Sequence, residues 1–184
     1  MCLKYDKYRK VYINLRFEVN KKYIWILWVI FGIYLIIFLY ATLFGNRSGS
    51  FYSDMTIGDY IARSVNLVPF KTISLYIKWI FDGNRYNNYI PLTNLGVNLI
   101  LLFPMGFFLP NLFDRLRNFI AYLSTNILIL ALIETIQLIT RRGSFDVDDF
   151  ILNILGAIIG YLVWLLTVKI IASTKKKSHK RNNE

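Results

Sequence analysis

Four long stretches of this chain carry almost no charge, and charged residues collect between them and at both ends. Tyr23 to Phe44 is the first such stretch, uncharged throughout. Tyr86 to Phe113 is the second, with its apolar part near Leu95 to Phe113. Asn118 to Thr140 is the third, interrupted once by Glu134, and Phe150 to Val168 is the fourth. A helix needs about 20 apolar residues to cross a hydrocarbon core of about 30 Å, so each stretch is long enough. Pro104 should kink the second span, because it lacks the N–H that the helix needs there. The pattern predicts an all-α, polytopic membrane protein: a bundle of four transmembrane helices. Span one is too long for a typical signal core and lacks a small-x-small cleavage site, so it reads as retained.

The long loop Gly45 to Pro91 changes character along its length. It begins polar and glycine-rich ("GNRSGSFYSD") and then turns apolar ("NLVPFKTISLYIKWIF"). Pro69 prevents a regular helix through the start of the apolar part. Beyond it, Ile73, Tyr76, Ile77 and Ile80 share one helical face. The expectation is a short helix lying in the membrane interface, or a re-entrant turn at Asn66 to Phe70.

Composition and charge sharpen this picture. The charged fraction is 18%, below the roughly one quarter usual in soluble domains. The formal charge of +11 sits mostly at the ends, so it argues for an anionic membrane surface and against nucleic acid as partner. Lys4, Lys7, Arg9, Lys10, Arg16, Lys21 and Lys22 precede span one, and Lys169, Lys175, Lys176, Lys177, Lys180 and Arg181 follow span four. The short second loop carries Arg115 and Arg117. The positive-inside rule then places both termini and this loop in the cytoplasm, with the first and third loops outside. Residues 1–22 read as a basic cytoplasmic arm, 23–173 as the membrane domain and 174–184 as a disordered basic tail. Tyr5, Tyr8, Tyr12 and Leu15 recur at helical spacing and suit an arm lying on the inner leaflet. Cys2 is the one cysteine, so no intrachain disulfide is possible, and His179 sits solvated in the lysine tail. We expect no cofactor and no tightly bound metal, since three close carboxylates alone are a weak oxygen-ligand set.

Candidate chemistry gathers at one depth. Glu134, Gln137 and Arg141 share a face of span three; Asp149, Asn153, Gly156 and Gly160 share a face of span four. Asn94 and Asn98 lie one turn apart at the outer end of span two, and Asn66 should reach a similar level. Asp146, Asp148 and Asp149 close the set. A carboxylate such as Glu134 is expensive in the membrane and normally faces a bundle interior or an aqueous cavity. Plainer readings stand beside the functional one. Asp148 or Asp149 caps span four; Arg141 or Arg142 pairs with the aspartates around Gly143; Asn94 and Asn98 serve as interhelical hydrogen-bond glue. Gly156 and Gly160 form a GxxxG pair suited to close approach of another helix.

Four motifs in order, "NLVPFKTI", "NLGVNLILLFPMGFFLP", "ETIQ" and "GSFDVDDFILNILGAIIGY", resemble the VanZ-like family of small bacterial membrane proteins over roughly Asn66 to Tyr161. The resemblance picks out Asn66, Pro69, Phe70, Asn94, Asn98, Pro104, Gly106, Glu134, Gln137, Asp146, Asp148, Asp149, Asn153 and Gly156. Where the family often has Gly-Asn, this chain has Val97-Asn98, which puts close packing there in question. The resemblance implies a cell-envelope role and an effect on glycopeptide (teicoplanin) susceptibility; it supplies no reaction. Two readings follow. In one, an outward-facing crevice binds a lipid-linked cell-wall precursor or a lipoglycopeptide through Asn66, Asn94, Asn98, Glu134, Gln137, Arg141, Asp146, Asp148, Asp149 and Asn153. In the other, an integral-membrane enzyme uses Glu134, Asp146 or Asp149 for acid–base chemistry. The sequence lacks a nucleophile with an adjacent base, a glycine-rich phosphate loop and a site histidine, so binding is the favoured reading.

Overall fold

The structure is a computed structural model that describes residues 21–44, 55–82 and 89–181. The expected surface-lying arm around Tyr5 to Leu15 and the polar start of the long loop fall outside the described residues. In chain order the elements are α1 (Lys21–Leu43), α2 (Ile57–Ser64), β1 (Val65–Asn66), α3 (Lys71–Phe81), α4 (Tyr89–Leu101), α5 (Met105–Leu112), a 3₁₀ turn (Asp114–Arg117), α6 (Phe119–Ile139), β2 (Phe145–Asp146) and α7 (Val147–Arg181). Four segments are long and apolar enough to cross a membrane: Tyr23–Leu43, Tyr89–Leu112, Phe119–Ile139 and Val147–Thr174. They match the four expected spans. The protein is an all-α polytopic bundle, relieved among the described residues by one two-residue parallel strand pair.

One expectation is corrected. The tail read as disordered is helical as far as Arg181, continuing α7 well past Val168. Lysine is a good helix former, and cations near a helix C-terminus meet the negative end of its dipole.

Span two breaks at Pro104, as its missing N–H requires. Around the break the backbone tightens to i−3 bonds: Phe103 N–H to Ile100, Met105 N–H to Leu102 and Gly106 N–H to Phe103, all at 3.1 Å. The carbonyl of Leu101 is left over, and the Tyr34 hydroxyl of α1 donates to it at 2.7 Å. A buried carbonyl without a donor is costly in hydrocarbon, so this bond fixes where α1 docks.

Both halves of span two lie against α7 through glycines. A Cβ built on Gly156 would drive into the Leu99 carbonyl, and one on Gly160 into the Phe103 carbonyl. One on Gly106 would strike the backbone of Gly160 and Tyr161. The expected GxxxG contact is therefore made, and its partner is the broken second span. Val97 is 47% exposed and points away from this seam, so the departure at that position does not disturb the packing. Below the glycines an aromatic-rich core closes the bundle around Tyr122, Tyr161, Trp164, Leu102 and Met105.

The described part of the long loop, residues 55–82, contains a hairpin that returns on itself. Val65 and Asn66 pair in parallel with Phe145 and Asp146, which lead straight into α7. The chain thus enters alongside the start of α7, turns over residues 67–70, and leaves as α3. Phe70 takes the left-handed conformation at φ 63°, unusual for a side chain with Cβ. One helical turn separates Thr72, beside Asp148, from Tyr76, beside Asn94. Asn94 in turn precedes Asn98, the partner of Asp149, by one turn. The hairpin turns beside Asp148, and α3 runs from there toward the level of Asn94. Its tip residues Leu67, Val68 and Phe70 are exposed. Of the expected apolar face of α3, Ile73, Tyr76 and Ile80 are half-buried, whereas Ile77 faces outward because the helix packs on one narrow strip only.

Candidate functional site

The polar side chains do converge at one end of the bundle, but they divide into two groups. The first group builds the loop. Asp148 is fully buried, and its carboxylate accepts the N–H of Phe70 (2.5 Å), Thr72 (2.7 Å) and Ile73 (3.0 Å). It caps α3, not its own helix. The sequence reading that a neighbouring aspartate caps span four is thus corrected for Asp148. The cap of α7 is Asp146, whose Oδ1 accepts the Asp148 N–H at 2.9 Å. The reason is tertiary: the turn brings three N–H groups from the start of another helix to the buried side of α7. Asp146 also takes the Thr72 hydroxyl (2.6 Å) and the Asn66 amide (3.1 Å). Asn66 Oδ1 accepts the Val68 N–H at 3.3 Å and shapes the turn. Asn66, Asp146 and Asp148 are therefore fasteners.

The link between α6 and α7 is fastened similarly. Arg141 stands at φ 54°, where a glycine is usual. Its N–H reaches Leu138 (3.2 Å) and the next N–H, of Arg142, reaches Gln137 (2.9 Å), the paired bonds of a Schellman end. The Arg142 guanidinium donates to the Leu43 carbonyl at 3.3 Å and lies 4.8 Å from the Phe44 ring centre, so it ties α1 to this end and not the aspartates to Gly143. Gln137 donates to the Thr42 carbonyl at 2.5 Å, and the buried Tyr60 hydroxyl to the Gly143 carbonyl at 2.5 Å.

The second group lies deeper. Asn94 donates to the Tyr76 hydroxyl (3.3 Å), Asn98 donates to Asn94 Oδ1 (3.0 Å), and Asn98 also donates to the Asp149 carboxylate. Asn153 donates back to the Asp149 carbonyl at 2.8 Å. Glu134 is buried on α6. Its level follows from the core: Tyr122 stacks on Tyr161 with centroids 4.8 Å apart and donates to the Ala157 carbonyl. Twelve residues onward along α6 is Glu134, and twelve back along the antiparallel α7 is Asp149, each about 18 Å from the tyrosine pair. The two carboxyl groups share a level. Among the described residues, the buried amide oxygens of Asn153 and Gln137 near this level, and of Asn126 deeper on α6, have no hydrogen-bond partner. Leaving such an acceptor unmet costs about 1–3 kcal/mol.

Several residues here escaped the sequence reading. Helix α2 was legible as a capping box: Thr56 accepts the Asp59 N–H at 3.2 Å while its hydroxyl meets the Asp59 carboxylate at 2.7 Å. Asn126 was legible as an amide inside an apolar span. Thr72, Tyr60 and Tyr76 carried no local signal, because their partners come from more than a helix away in sequence.

Comparison with the curated proteins and with the solved structures finds no match. A family model does match, over residues 31–169, which includes every residue of both polar groups. The chain belongs to the VanZ/LLP1 family, VanZ-like membrane proteins linked in general to glycopeptide resistance.

Proposed function

We propose that the deeper group, Asn94, Asn98, Glu134, Asp149 and Asn153, is an outward-facing binding site in a bacterial cell membrane. Both termini lie in the cytoplasm. The ligand is a lipid-linked envelope component or a lipoglycopeptide, and its capture alters glycopeptide (teicoplanin) susceptibility. The carrying observation is the buried Asn98–Asp149 bond between two spans, with the buried Glu134 on the same level. Buried polar groups inside spans are normally retained for function. The site's side chains are amides and carboxylates, which hold a ligand by hydrogen bonds.

Glu134→Gln keeps the side chain's shape and removes its charge. A neutral amide inserts more easily than a carboxylate. We expect normal membrane levels and loss of the drug-susceptibility phenotype, with Asp149→Asn acting alike and Lys176→Ala silent. Wild-type phenotype in Glu134→Gln at matched expression would remove the site's main support. A chemically altered envelope lipid, lost in the same variant, would replace binding by catalysis.

Orientation is tested separately. In a Cys2→Ser background an impermeant thiol reagent should label Ser144→Cys on intact cells and miss Ser178→Cys. The opposite pattern would turn the site toward the cytoplasm.

A further inference from the structure

We propose that residues 67–70 form a lipid-inserted tip: a turn seated within the hydrocarbon of the leaflet at this end of the bundle, with the acyl chains there as its partner. The inference uses the four spans and is independent of the binding reading above. Its first support is the surface. Leu67, Val68, Pro69 and Phe70 are consecutive exposed residues, and all are apolar. No residue from Ser64 to Phe70 carries a charge. A turn built for water normally shows Gly, Asn, Asp or Ser at such positions.

The second support is the backbone. Every N–H from Val68 to Ser74 is met inside the chain. Val68 donates to Asn66 Oδ1 (3.3 Å), and Phe70, Thr72 and Ile73 donate to the Asp148 carboxylate. Lys71 donates to the Val68 carbonyl (3.4 Å) and Ser74 to the Phe70 carbonyl (2.9 Å). The remaining residue, Pro69, has no N–H to meet. An exposed turn in water can leave its donors to solvent, whereas hydrocarbon offers them nothing. Burying Asp148 therefore supplies the acceptor that water supplies elsewhere.

The third support is depth. Helix α6 runs over Phe119–Ile139. It is about 30 Å long, the thickness of the hydrocarbon core, so its ends mark the two faces of that core. Asp149 is level with Glu134, which puts Asp148 level with Thr135, roughly 6 Å inside Ile139. The tip hangs from Asp148 through the Phe70 N–H, so it lies below that face and not on it. Lys71, the first charge after the tip, is exposed, and its stem is long enough to snorkel back to the head groups.

Nitroxide labels on full-length protein in phosphatidylcholine nanodiscs test depth and partner together. In a Cys2→Ser background one label goes on Val68→Cys and, separately, one on Leu67→Cys; neither change touches a side-chain hydrogen bond. Leu132→Cys and Ile136→Cys give the depth scale, since both side chains are exposed on α6, one just deeper and one just shallower than the tip. Ser144→Cys, exposed in the loop before α7, is the water reference. Collisions with oxygen, which dissolves in hydrocarbon, and with a water-soluble nickel chelate are read by power saturation. The oxygen-to-nickel ratio at both tip labels should fall between those of Ile136→Cys and Leu132→Cys. A ratio closer to Ser144→Cys than to Ile136→Cys overturns the insertion. Exclusion of both reagents would mean that protein, a second copy included, covers the turn, and that overturns it too. The ratios are read without a phenotype, so they stand or fall separately from the Glu134→Gln result.

Discussion

Asp148→Asn should leave little folded protein in the membrane. The carboxylate is fully buried and receives three backbone N–H groups from the start of another helix. Hydrogen bonds to a charged group contribute roughly 1.5–3 kcal/mol each. An amide in the same place can turn only one oxygen toward the three donors, and its own NH₂ meets them head-on. Relief from burying a charge offsets part of the loss. The net destabilisation should be about 4 kcal/mol, large beside the roughly 5–15 kcal/mol that holds a typical domain. The left-handed Phe70 compounds it, since that conformation costs about 1–2 kcal/mol and the Phe70 N–H is among the three. Thermal unfolding in detergent and the yield of monodisperse protein measure the effect. Asp149→Asn is the comparison: an amide there still offers oxygen to Asn98, so the fold should hold. If Asp148→Asn unfolds no earlier than Asp149→Asn, the division into fasteners and site residues is wrong.

Gly156→Ala should also be severe, for a steric reason. The added methyl would meet the carbonyl of Leu99, which is backbone and has no rotamer to escape into. α4 would have to move off α7, taking Asn98 away from Asp149. We expect about 3 kcal/mol of destabilisation, the upper end for overpacking. Gly160→Ala and Gly106→Ala should behave alike, since each faces the same backbone-to-backbone seam. Gly96→Ala is the control. A Cβ there has open space on every side, so the change should be neutral or add about 1 kcal/mol through helix propensity. Unfolding midpoints that do not separate Gly96→Ala from the other three would mean the seam is looser than its geometry.

Much of the bundle was legible because lipid imposes a length and a polarity on each crossing. Tyr23 to Phe44 had to be a helix of membrane length once it was uncharged throughout. Pro104 was legible as a kink in span two, since it lacks the N–H the helix needs there. The GxxxG spacing of Gly156 and Gly160 announced a close helix neighbour, though not which one. Glu134, Asn98 and Asp149 stood out for the same reason, as polar groups in spans where each carries a penalty.

The roles of the aspartates were not legible. Asp146, Asp148 and Asp149 are alike in sequence and adjacent, yet one caps α7, one caps α3 and one binds Asn98. Periodicity places them on different sides of a helix but says nothing of what waits there. The sequence by itself determined the four crossings, the break and the level at which polar groups collect, because those follow from local composition against a solvent of fixed thickness. Only the tertiary structure decided that the loop turns back as a hairpin, that its N–H groups consume Asp148, and that Asn98 is left facing Asp149. Those outcomes rest on hydrogen bonds between residues fifty to eighty positions apart. Such bonds carry no local periodic signal, and they form only once glycine-lined helices have come close enough to bring their ends together.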